Sequence, residues 1–219
     1  MNNYFIILAA GKGRRFSQNK PKQYFNYNGK MLIQHSIDKV LASKLFKKII
    51  IVQSKKYKNI FKNYKRKKIM IIEGGKQRKD SSLNALKSIK KYKPENIFIH
   101  DAARPNFSNK LLIKLLKQLK NHNAVVPFIN SQDSIKLIKK DKYFNLDRGK
   151  IIFTQTPQAF KFKDLYNLAI KQKDKISDEA SLFINNNLKV KFVLGEKRNI
   201  KITFPEDLKN VKTYYGIGF

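Results

Sequence analysis

Short apolar runs alternate with longer amphipathic stretches along most of this chain. Five runs of four or five residues, rich in Ile, Val and Phe, have the pattern of buried strands and cover residues 4–8, 48–52, 68–72, 97–100 and 124–128. Between them, apolar residues recur at helical spacing, first at Leu32, Ile33, Ile37, Val40 and Leu41 and later at Leu111, Leu112, Leu115, Leu116 and Leu119. This alternation predicts an α/β fold of the Rossmann-like kind, with a mostly parallel sheet flanked by helices on both faces.

Residues 131–153 interrupt this alternation. The segment is polar, and its apolar residues Ile135, Leu137 and Ile138 come in short bursts that fit a β-hairpin better than a crossover helix. The chain has 219 residues and 42% hydrophobic content, which is enough for one sizeable core and short for two. Since no linker or internal repeat divides it, we expect a single domain over residues 1–219 with a projecting arm at about 131–153.

Composition and charge narrow the classes of protein. The apolar runs are far shorter than the roughly 20 residues of a membrane span, and the N-terminus lacks the pattern of a signal peptide, so we expect a cytoplasmic protein without membrane contact. The chain has no cysteine, which excludes disulfides and thiolate metal sites. Its net charge of +33 would attract nucleic acid. The lysines are, however, spread through nearly every segment, so a basic nucleic-acid-binding module is a remote alternative and no specific nucleic acid is expected.

The first predicted strand leads into a loop of small residues at positions 9–13. Small side chains let backbone N–H groups approach a phosphate, so the loop offers candidate nucleotide-binding residues at Ala9, Ala10, Gly11 and Gly13. Cations follow at Arg15 and, on a segment stiffened by Pro21, at Lys22. Phe16 stands where the dinucleotide fingerprint has its third glycine, and no P-loop sequence follows. An ordinary tight turn is the alternative reading of the loop.

A second glycine-rich turn follows the third predicted strand. Residues 73–82 contain Gly74 and Gly75 and lead, through an Asp or Ser cap, into a predicted helix over residues 83–91. A turn with a helix cap and no further role would have the same pattern. The position after a buried strand nevertheless favours a ligand contact, because ligands bind at the carboxyl ends of strands in such sheets.

The fourth predicted strand ends in His100, Asp101, two alanines and Arg104. A carboxylate at the end of a strand, flanked by alanines that allow close approach, suits a hard cation shared with substrate phosphates, so Asp101 is the candidate metal ligand. The alternative is an Asp that caps the turn and pairs with Arg104. We interpret His100 as a packed, hydrogen-bonded residue and not as a base.

These segments, with later motifs at residues 147–148, 154–160, 177–181 and 199–208 in the same order, resemble the 2-C-methyl-D-erythritol 4-phosphate cytidylyltransferases of the non-mevalonate isoprenoid pathway. The resemblance runs from Ala9 to Leu208. The ribitol-5-phosphate cytidylyltransferases, or a related sugar-phosphate nucleotidyltransferase, are the alternative, and residues 178–181 favour the methylerythritol branch.

The resemblance implies a nucleotidyltransferase that transfers CMP from CTP to 2-C-methyl-D-erythritol 4-phosphate with the help of Mg²⁺ or another divalent cation. It implies catalytic roles for Arg15, Lys22 and Lys201 and a metal at Asp101. The loop over residues 9–13 would bind the nucleotide together with Gly75, Arg78, Ser81 and Ala102. Lys76 departs from the family pattern, in which an acidic residue is common, so a base contact from that side chain is not expected.

The resemblance also implies a homodimer in which the two subunits share their active sites. Asp101, Arg104, Thr156 and Lys201 would contact the polyol phosphate from its own subunit, whereas Ser134 and Arg148 would reach it from the neighbouring arm. Ser134 replaces a common Thr but keeps the hydroxyl. Since residue 219 leaves little length beyond the matched motifs, we expect no fused second enzyme.

Overall fold

The computed structural model describes residues 2–61, 68–173, 176–209 and 211. Its strands are β1 (Asn3–Ala9), β2 (Asn26–Tyr27), β3 (Lys30–Met31), β4 (Lys48–Gln53), β5 (Ile69–Glu73), β6 (Asn96–Asp101), β7 (Ala124–Asn130), β8 (Ile135–Lys139), β9 (Lys142–Leu146), β10 (Ile152–Thr154), β11 (Gln158–Lys161) and β12 (Lys191–Leu194). A central sheet has the order β10-β7-β11-β6-β1-β4-β5, and β12 also pairs with β7. Two short hairpins, β2 with β3 and β8 with β9, lie outside this sheet.

Strand direction decides which loops meet. β1 runs parallel to β4 and β6, β4 runs parallel to β5, and β12 runs parallel to β7. β10 and β11 are antiparallel to their neighbours. The carboxyl ends of β1, β5 and β6 therefore open on the same edge of the sheet, as expected for a ligand site in this class of fold.

Helices cover both faces of the sheet. They are α1 (Leu32–Ser43), α2 (Arg78–Ile89), α3 (Asn109–Gln118), α4 (Phe162–Lys171) and α5 (Ala180–Asn185). Alternate residues of β1 point to opposite faces: Phe5 and Ile7 pack with α1 and α3, whereas Tyr4 and Ile6 pack with α2, α4 and α5. None of the described helices is long and apolar enough to cross a membrane. The predicted α/β architecture is confirmed.

The five predicted strands match β1, β4, β5, β6 and β7 to within one or two residues at each end. The helix predicted over residues 83–91 begins earlier, at Arg78, and the predicted Asp or Ser cap is wrong. The cap position is Gln77, whose backbone N–H donates to Asp80 Oδ2 at 2.9 Å. Asp80 thus serves the helix start from its first turn, where a carboxylate also favours the helix dipole.

The predicted hairpin is present. β8 and β9 pair antiparallel, and the two residues between them, Lys140 and Asp141, both have positive φ, at 45° and 60°. Two successive residues of positive φ are the signature of a tight turn whose twist matches that of paired strands. Residues 135–146 therefore form an exposed arm, joined through residues 131–134 to the carboxyl end of β7.

Candidate active site

The loop after β1 folds back on itself through Gly13. This residue has φ +63°, and a Cβ built on it would lie 3.1 Å from the backbone nitrogen of Lys22. Both features favour glycine, because other residues rarely adopt this conformation and would crowd the neighbouring chain. Phe16, which is buried, packs with Tyr27, Leu32 and Ile202. The loop is thereby anchored at its far end and brings Lys22 next to Gly13.

Two further side chains hold this loop from behind. The Nε2 group of Gln23 donates to the backbone oxygens of Ala9 at 2.6 Å and Gly11 at 2.7 Å. The hydroxyl of Tyr24 also donates to the Ala9 oxygen, at 3.0 Å. Sequence reasoning missed both contacts, because it treated the segment 20–24 only as a carrier for the cation of Lys22.

The glycine turn after β5 packs directly against the first loop. A Cβ on Gly74 would clash with the Cβ of Ala10 and lie 2.8 Å from Ser81 Oγ, so only glycine fits. The N–H of Gly75 donates to Ser81 Oγ at 3.1 Å, and that hydroxyl donates to the Gln77 oxygen at 3.1 Å. The structure therefore brings together the predicted nucleotide-binding residues of both segments.

Asp101 lies at the carboxyl end of β6, and its side chain is only 13% exposed. Its Oδ2 is 2.6 Å from Lys201 Nζ, and its Oδ1 is 3.5 Å from Arg78 Nε. Burial alone would raise the pKa of this carboxyl, but the charges of Arg78 and Lys201 hold the pKa well below its usual range. Asp101 is therefore ionised, and its ion-pair partners are Arg78 and Lys201, whereas the alternative reading of the sequence paired it with Arg104.

Arg78 is the first residue of α2 and connects Asp101 to a second acid. Its two terminal nitrogens donate to the two oxygens of Glu179, each at 2.8 Å. Burial opposes the charge of Arg78, yet the pairing with Glu179 and Asp101 outweighs it and raises the pKa of the guanidinium. Glu179 is almost fully buried. From the sequence alone, this acid was only one member of the motif at residues 177–181, and its contact with Arg78 was not predicted.

His100 is fully buried, as expected from its interpretation as a packed residue. Its Nε2 lies 3.0 Å from the carbonyl oxygen of Arg104, which can only accept, so Nε2 carries the hydrogen. Its Nδ1 then accepts from the hydroxyl of Thr156 at 3.0 Å. Burial lowers the pKa of His100 to about 3, so the ring is neutral.

Thr156 supports the same strand end. Its hydroxyl oxygen accepts the backbone N–H of Asp101 at 3.0 Å, and its carbonyl oxygen accepts from the Asn199 side chain at 2.8 Å. These bonds place Thr156 in contact with Asp101, but its side chain is largely buried. A direct contact of Thr156 with the acceptor stays a prediction.

The segment at residues 199–207 carries Lys201 to this site. Arg104 Nη1 donates to the Asn199 oxygen at 2.9 Å, and the N–H of Ile202 donates to the Ala103 oxygen at 2.9 Å. Asp207 Oδ2 accepts the N–H groups of Thr203 and Phe204 at 2.7 and 2.9 Å, which holds the backbone of this segment in place. Arg104 therefore acts on Lys201 by fixing its segment.

Two of the predicted catalytic cations, Lys201 and Arg15, act electrostatically on the third, Lys22. Lys22 is partly buried, and burial, followed by the charges of Lys201 and Arg15, lowers its pKa to about 8, against the opposing effect of Asp101. The guanidinium of Arg15 lies 5.9 Å from the centre of the ring of Phe204, and Phe204 belongs to the same segment as Lys201. The site therefore has several cations whose mutual repulsion an anionic ligand would relieve.

Ser134 and Arg148 lie apart from these residues, at the base of the arm. Ser134 Oγ accepts from Lys136 Nζ at 2.7 Å, and Arg148 Nη1 donates to the Gln132 oxygen at 2.7 Å. Both contacts are within residues 131–153. The remaining predicted residue, Ala102, is buried beside Asp101, and its N–H donates to the Leu8 oxygen at 3.2 Å.

The residues near Asp101 restrict the kind of metal site that they can form. In the described part of the chain, no group of three or more His, Cys, Asp or Glu side chains could hold an ion by itself. Mg²⁺ commonly uses one or two carboxylates and takes its other ligands from phosphates and water. A single ionised carboxylate therefore fits a cation that the substrate phosphates also hold, and not a dedicated protein cage.

Comparison with known proteins gives consistent matches. A family model described as 2-C-methyl-D-erythritol 4-phosphate cytidylyltransferase matches residues 4–216. The 2-C-methyl-D-erythritol 4-phosphate cytidylyltransferase of Thermosipho melanesiensis is 37% identical over 214 residues, which cover 94% of each protein. A crystal structure of 4-diphosphocytidyl-2C-methyl-D-erythritol synthase from Anaerococcus prevotii superimposes with a TM-score of 0.86 at 31% identity, and the match covers 98% of each chain.

A longer relative matches with higher identity. The bifunctional enzyme IspD/IspF of Pelagibacter ubique is 47% identical over 220 residues, which cover 100% of this chain. This chain spans 59% of the length of that protein. The similarity therefore concerns one part of the bifunctional relative.

The buried pair of Arg78 and Glu179 gives a prediction for stability. Glu179→Gln removes one charge of a largely enclosed ion pair, and we expect it to lower the free energy of unfolding by about 3 kcal/mol, measured by urea denaturation. Asp38→Asn is the control, since its pair with Lys30 is exposed (36% and 55%) and should be worth less than about 1 kcal/mol. Equal losses in the two variants would contradict the prediction.

Proposed function

The chain belongs to the 2-C-methyl-D-erythritol 4-phosphate cytidylyltransferase family, and from that premise we propose that it transfers CMP from CTP to 2-C-methyl-D-erythritol 4-phosphate. An oxygen of the acceptor phosphate attacks the α-phosphorus of CTP, the bond from that phosphorus to the β-phosphate oxygen breaks, and pyrophosphate leaves. The product is 4-diphosphocytidyl-2-C-methyl-D-erythritol. The observation that carries the proposal is that Lys22, Arg78, Asp101 and Lys201 come together at the sheet edge formed by the carboxyl ends of β1, β5 and β6.

This reaction needs no nucleophile from the protein, because the acceptor phosphate is itself ionised at neutral pH. Catalysis then consists of positioning and of stabilising negative charge, as in phosphoryl transfer generally. The neutral, enclosed His100 supports this view, since a ring whose pKa is about 3 is a poor proton acceptor. We assign no general base to the site.

Different cations would bind the two substrates. Lys22 lies beside Gly13 of the loop over residues 9–13, and Arg15 follows the same loop; both would stabilise charge at the α-phosphate and on the departing pyrophosphate. Lys201, which Arg104 and Asn199 hold in place, would align the acceptor phosphate. Lys201 and Asp101 form an ion pair, so acceptor binding requires Lys201 to share its charge between the two anions.

A divalent cation such as Mg²⁺ would be held by Asp101 together with the triphosphate, and when bound it neutralises phosphate charge. The protein contributes a carboxylate that Arg78 and Lys201 keep ionised.

The nearby glycine turn supports the choice of nucleotide. The backbone of Gly75 and the side chains of Ser81 and Arg78 would contact cytosine and ribose, while Ala102 leaves room for the ligand.

The exposed arm supports the proposal of a homodimer with shared active sites. Large apolar side chains on its two strands are solvent-accessible, with exposures of 48% for Leu137, 67% for Ile138, 74% for Tyr143 and 46% for Phe144. Such a group on a projecting hairpin is typical of a surface that another chain covers. Ser134 and Arg148, at the base of the same arm, would then reach the acceptor in the neighbouring subunit.

A cytoplasmic location stays a prediction from the sequence.

A coupled pyrophosphate assay tests the reaction. We expect pyrophosphate release from CTP only when both 2-C-methyl-D-erythritol 4-phosphate and a divalent cation are present. ATP and GTP should react more slowly, because a pocket around Gly75 and Ser81 suits a small base. A higher kcat/KM with ribitol 5-phosphate would assign the chain to the alternative acceptor, and release without any acceptor would contradict both assignments.

The lowered pKa of Lys22 predicts a pH dependence. Lys22 is charged below its pKa of about 8 and neutral above it, so kcat/KM for CTP should fall as the pH rises through about 8. In Lys22→Arg the guanidinium stays charged, and the fall should move to higher pH. Lys22→Ala should lower kcat on the order of 100-fold to 1,000-fold, as for other groups that stabilise developing charge. An unchanged pH profile in Lys22→Arg would show that another group titrates.

Mixing two inactive variants tests the shared site. Lys22→Ala removes a cation of the nucleotide pocket, and Arg148→Ala removes a cation of the arm, so in a mixed dimer one site carries both lesions and the other carries neither. Free exchange of subunits should therefore restore about a quarter of wild-type activity. Exchange verified by native mass spectrometry without recovery of activity would place Arg148 in the pocket of its own subunit.

A further inference from the structure

Gln23 is a buried amide that contacts the candidate nucleotide loop at two points. Gln23 is 4% exposed, and its Nε2 group donates to the carbonyl oxygens of Ala9 and Gly11 at 2.6 and 2.7 Å. Because carbonyl oxygens only accept hydrogen bonds, the amide nitrogen and not the amide oxygen must face the loop. One side chain thus fixes two peptide groups that are two residues apart.

The direction of these two carbonyls determines the direction of two N–H groups. In a planar trans peptide the C=O and the following N–H point in opposite directions. With the oxygens of Ala9 and Gly11 turned towards Gln23, the N–H groups of Ala10 and Lys12 point away from it. Gly11 is exposed, and apart from its own atoms and those of its two chain neighbours no described atom lies within 4 Å of the position that a Cβ of Gly11 would take. The two N–H groups thus point away from Gln23 on a loop that is open at Gly11.

Backbone N–H groups that point to one side of a loop can form a site for anions. Without the amide of Gln23, the Gly11–Lys12 peptide could rotate and present its carbonyl oxygen to a phosphate, which would repel it, while the Ala9–Ala10 peptide would keep only the hydrogen bond from Tyr24. We propose that Gln23 is a positioning residue that holds the Ala9–Ala10 and Gly11–Lys12 peptides with their N–H groups towards the triphosphate. This inference rests on the proposed function, because it assigns the loop to the phosphates of CTP.

The neighbouring residues have different tasks. Lys22 supplies a charge, and Tyr24 adds a second hydrogen bond to the Ala9 oxygen at 3.0 Å. Within this segment Gln23 alone, among the described contacts, reaches the oxygen of Gly11. The orientation of the second peptide thus depends on Gln23, and a substitution there should weaken phosphate binding while the charge of Lys22 is kept.

The test compares Gln23→Met with the wild type by isothermal titration calorimetry. Methionine has a similar length and shape but no donor. We expect the Kd for CTP and the Kd for inorganic pyrophosphate each to rise at least about tenfold, from the loss of two hydrogen bonds that orient the loop. The KM for the acceptor should stay within about twofold, since the acceptor does not contact these peptides.

Gln155→Met is the matched control. Gln155 is also a buried amide, and its Nε2 group donates to two backbone oxygens, those of Glu196 at 2.8 Å and Asn199 at 3.3 Å. Its loss should lower the Tm about as much as the loss of Gln23 and, because Gln155 contacts the segment that carries Lys201, should raise the KM for the acceptor, while the Kd for CTP and for pyrophosphate stays within about twofold of the wild type. This comparison separates a role in phosphate binding from a role in stability alone.

Three results would overturn the proposal: wild-type affinity for CTP and pyrophosphate in Gln23→Met, equal weakening in Gln155→Met, or a loss in Gln23→Met confined to the acceptor. If Gln23→Met fails to fold, Gln23→Asn replaces it, because its shorter amide keeps the donor but cannot span both carbonyls, and the same rise in both Kd values is expected. A wild-type protein that binds pyrophosphate but not CTP would contradict the proposed function. The role of Gln23 would still be tested by the ratio of the Kd for pyrophosphate in Gln23→Met to that in the wild type.

Discussion

The ionised carboxylate of Asp101 at the end of a core strand is the constraint on which the candidate site depends. A buried charge is costly unless it is paired, and the pairing here brings two separate parts of the chain to the end of β6. Arg78 comes from the start of α2, and Lys201 comes from a segment that follows the last strand of the sheet. Glu179 binds the two terminal nitrogens of Arg78, and Asp101 lies near its Nε, so the ion pairs run from the buried Glu179 through Arg78 and Asp101 to the exposed Lys201.

The second organising feature is the contact between two loops of small residues. Gly74 lies against Ala10, and Gly13 lies against the backbone of Lys22, so each close approach uses a position that has no side chain beyond a hydrogen. Polar side chains then hydrogen-bond to these loops: Ser81 Oγ accepts the N–H of Gly75, and Gln23 Nε2 donates to the oxygens of Ala9 and Gly11. The backbone geometry is therefore determined from within the protein before any ligand binds.

Much of this architecture could be predicted from the sequence, and the parts that could not have a common cause. The strands β1, β4, β5, β6 and β7 are buried runs of branched residues, and α1 and α3 have long apolar stripes, so local pattern was sufficient. β10 and β11 have only three and four residues and enter the sheet antiparallel, which no local periodicity indicates. Among the candidate site residues, the loop glycines and Asp101 could be predicted because they lie at or directly after the ends of strands. The contacts of Gln23 with Ala9 and Gly11 and of Arg78 with Glu179 were missed, because they join residues 12, 14 and 101 positions apart.

The balance of charge in the site differs from that of an ordinary protein surface. Burial lowers the pKa of Lys22 most, and the positive charges of Lys201 and Arg15 lower it further. Asp101 offsets part of this repulsion, and Glu179 offsets part of the charge of Arg78 from a position that solvent and ligands do not reach. The site is thus held together against a local excess of positive charge. An anion that bound there would remove part of this excess, so the repulsion among Lys22, Arg15 and Lys201 would favour anionic ligands over an uncharged competitor.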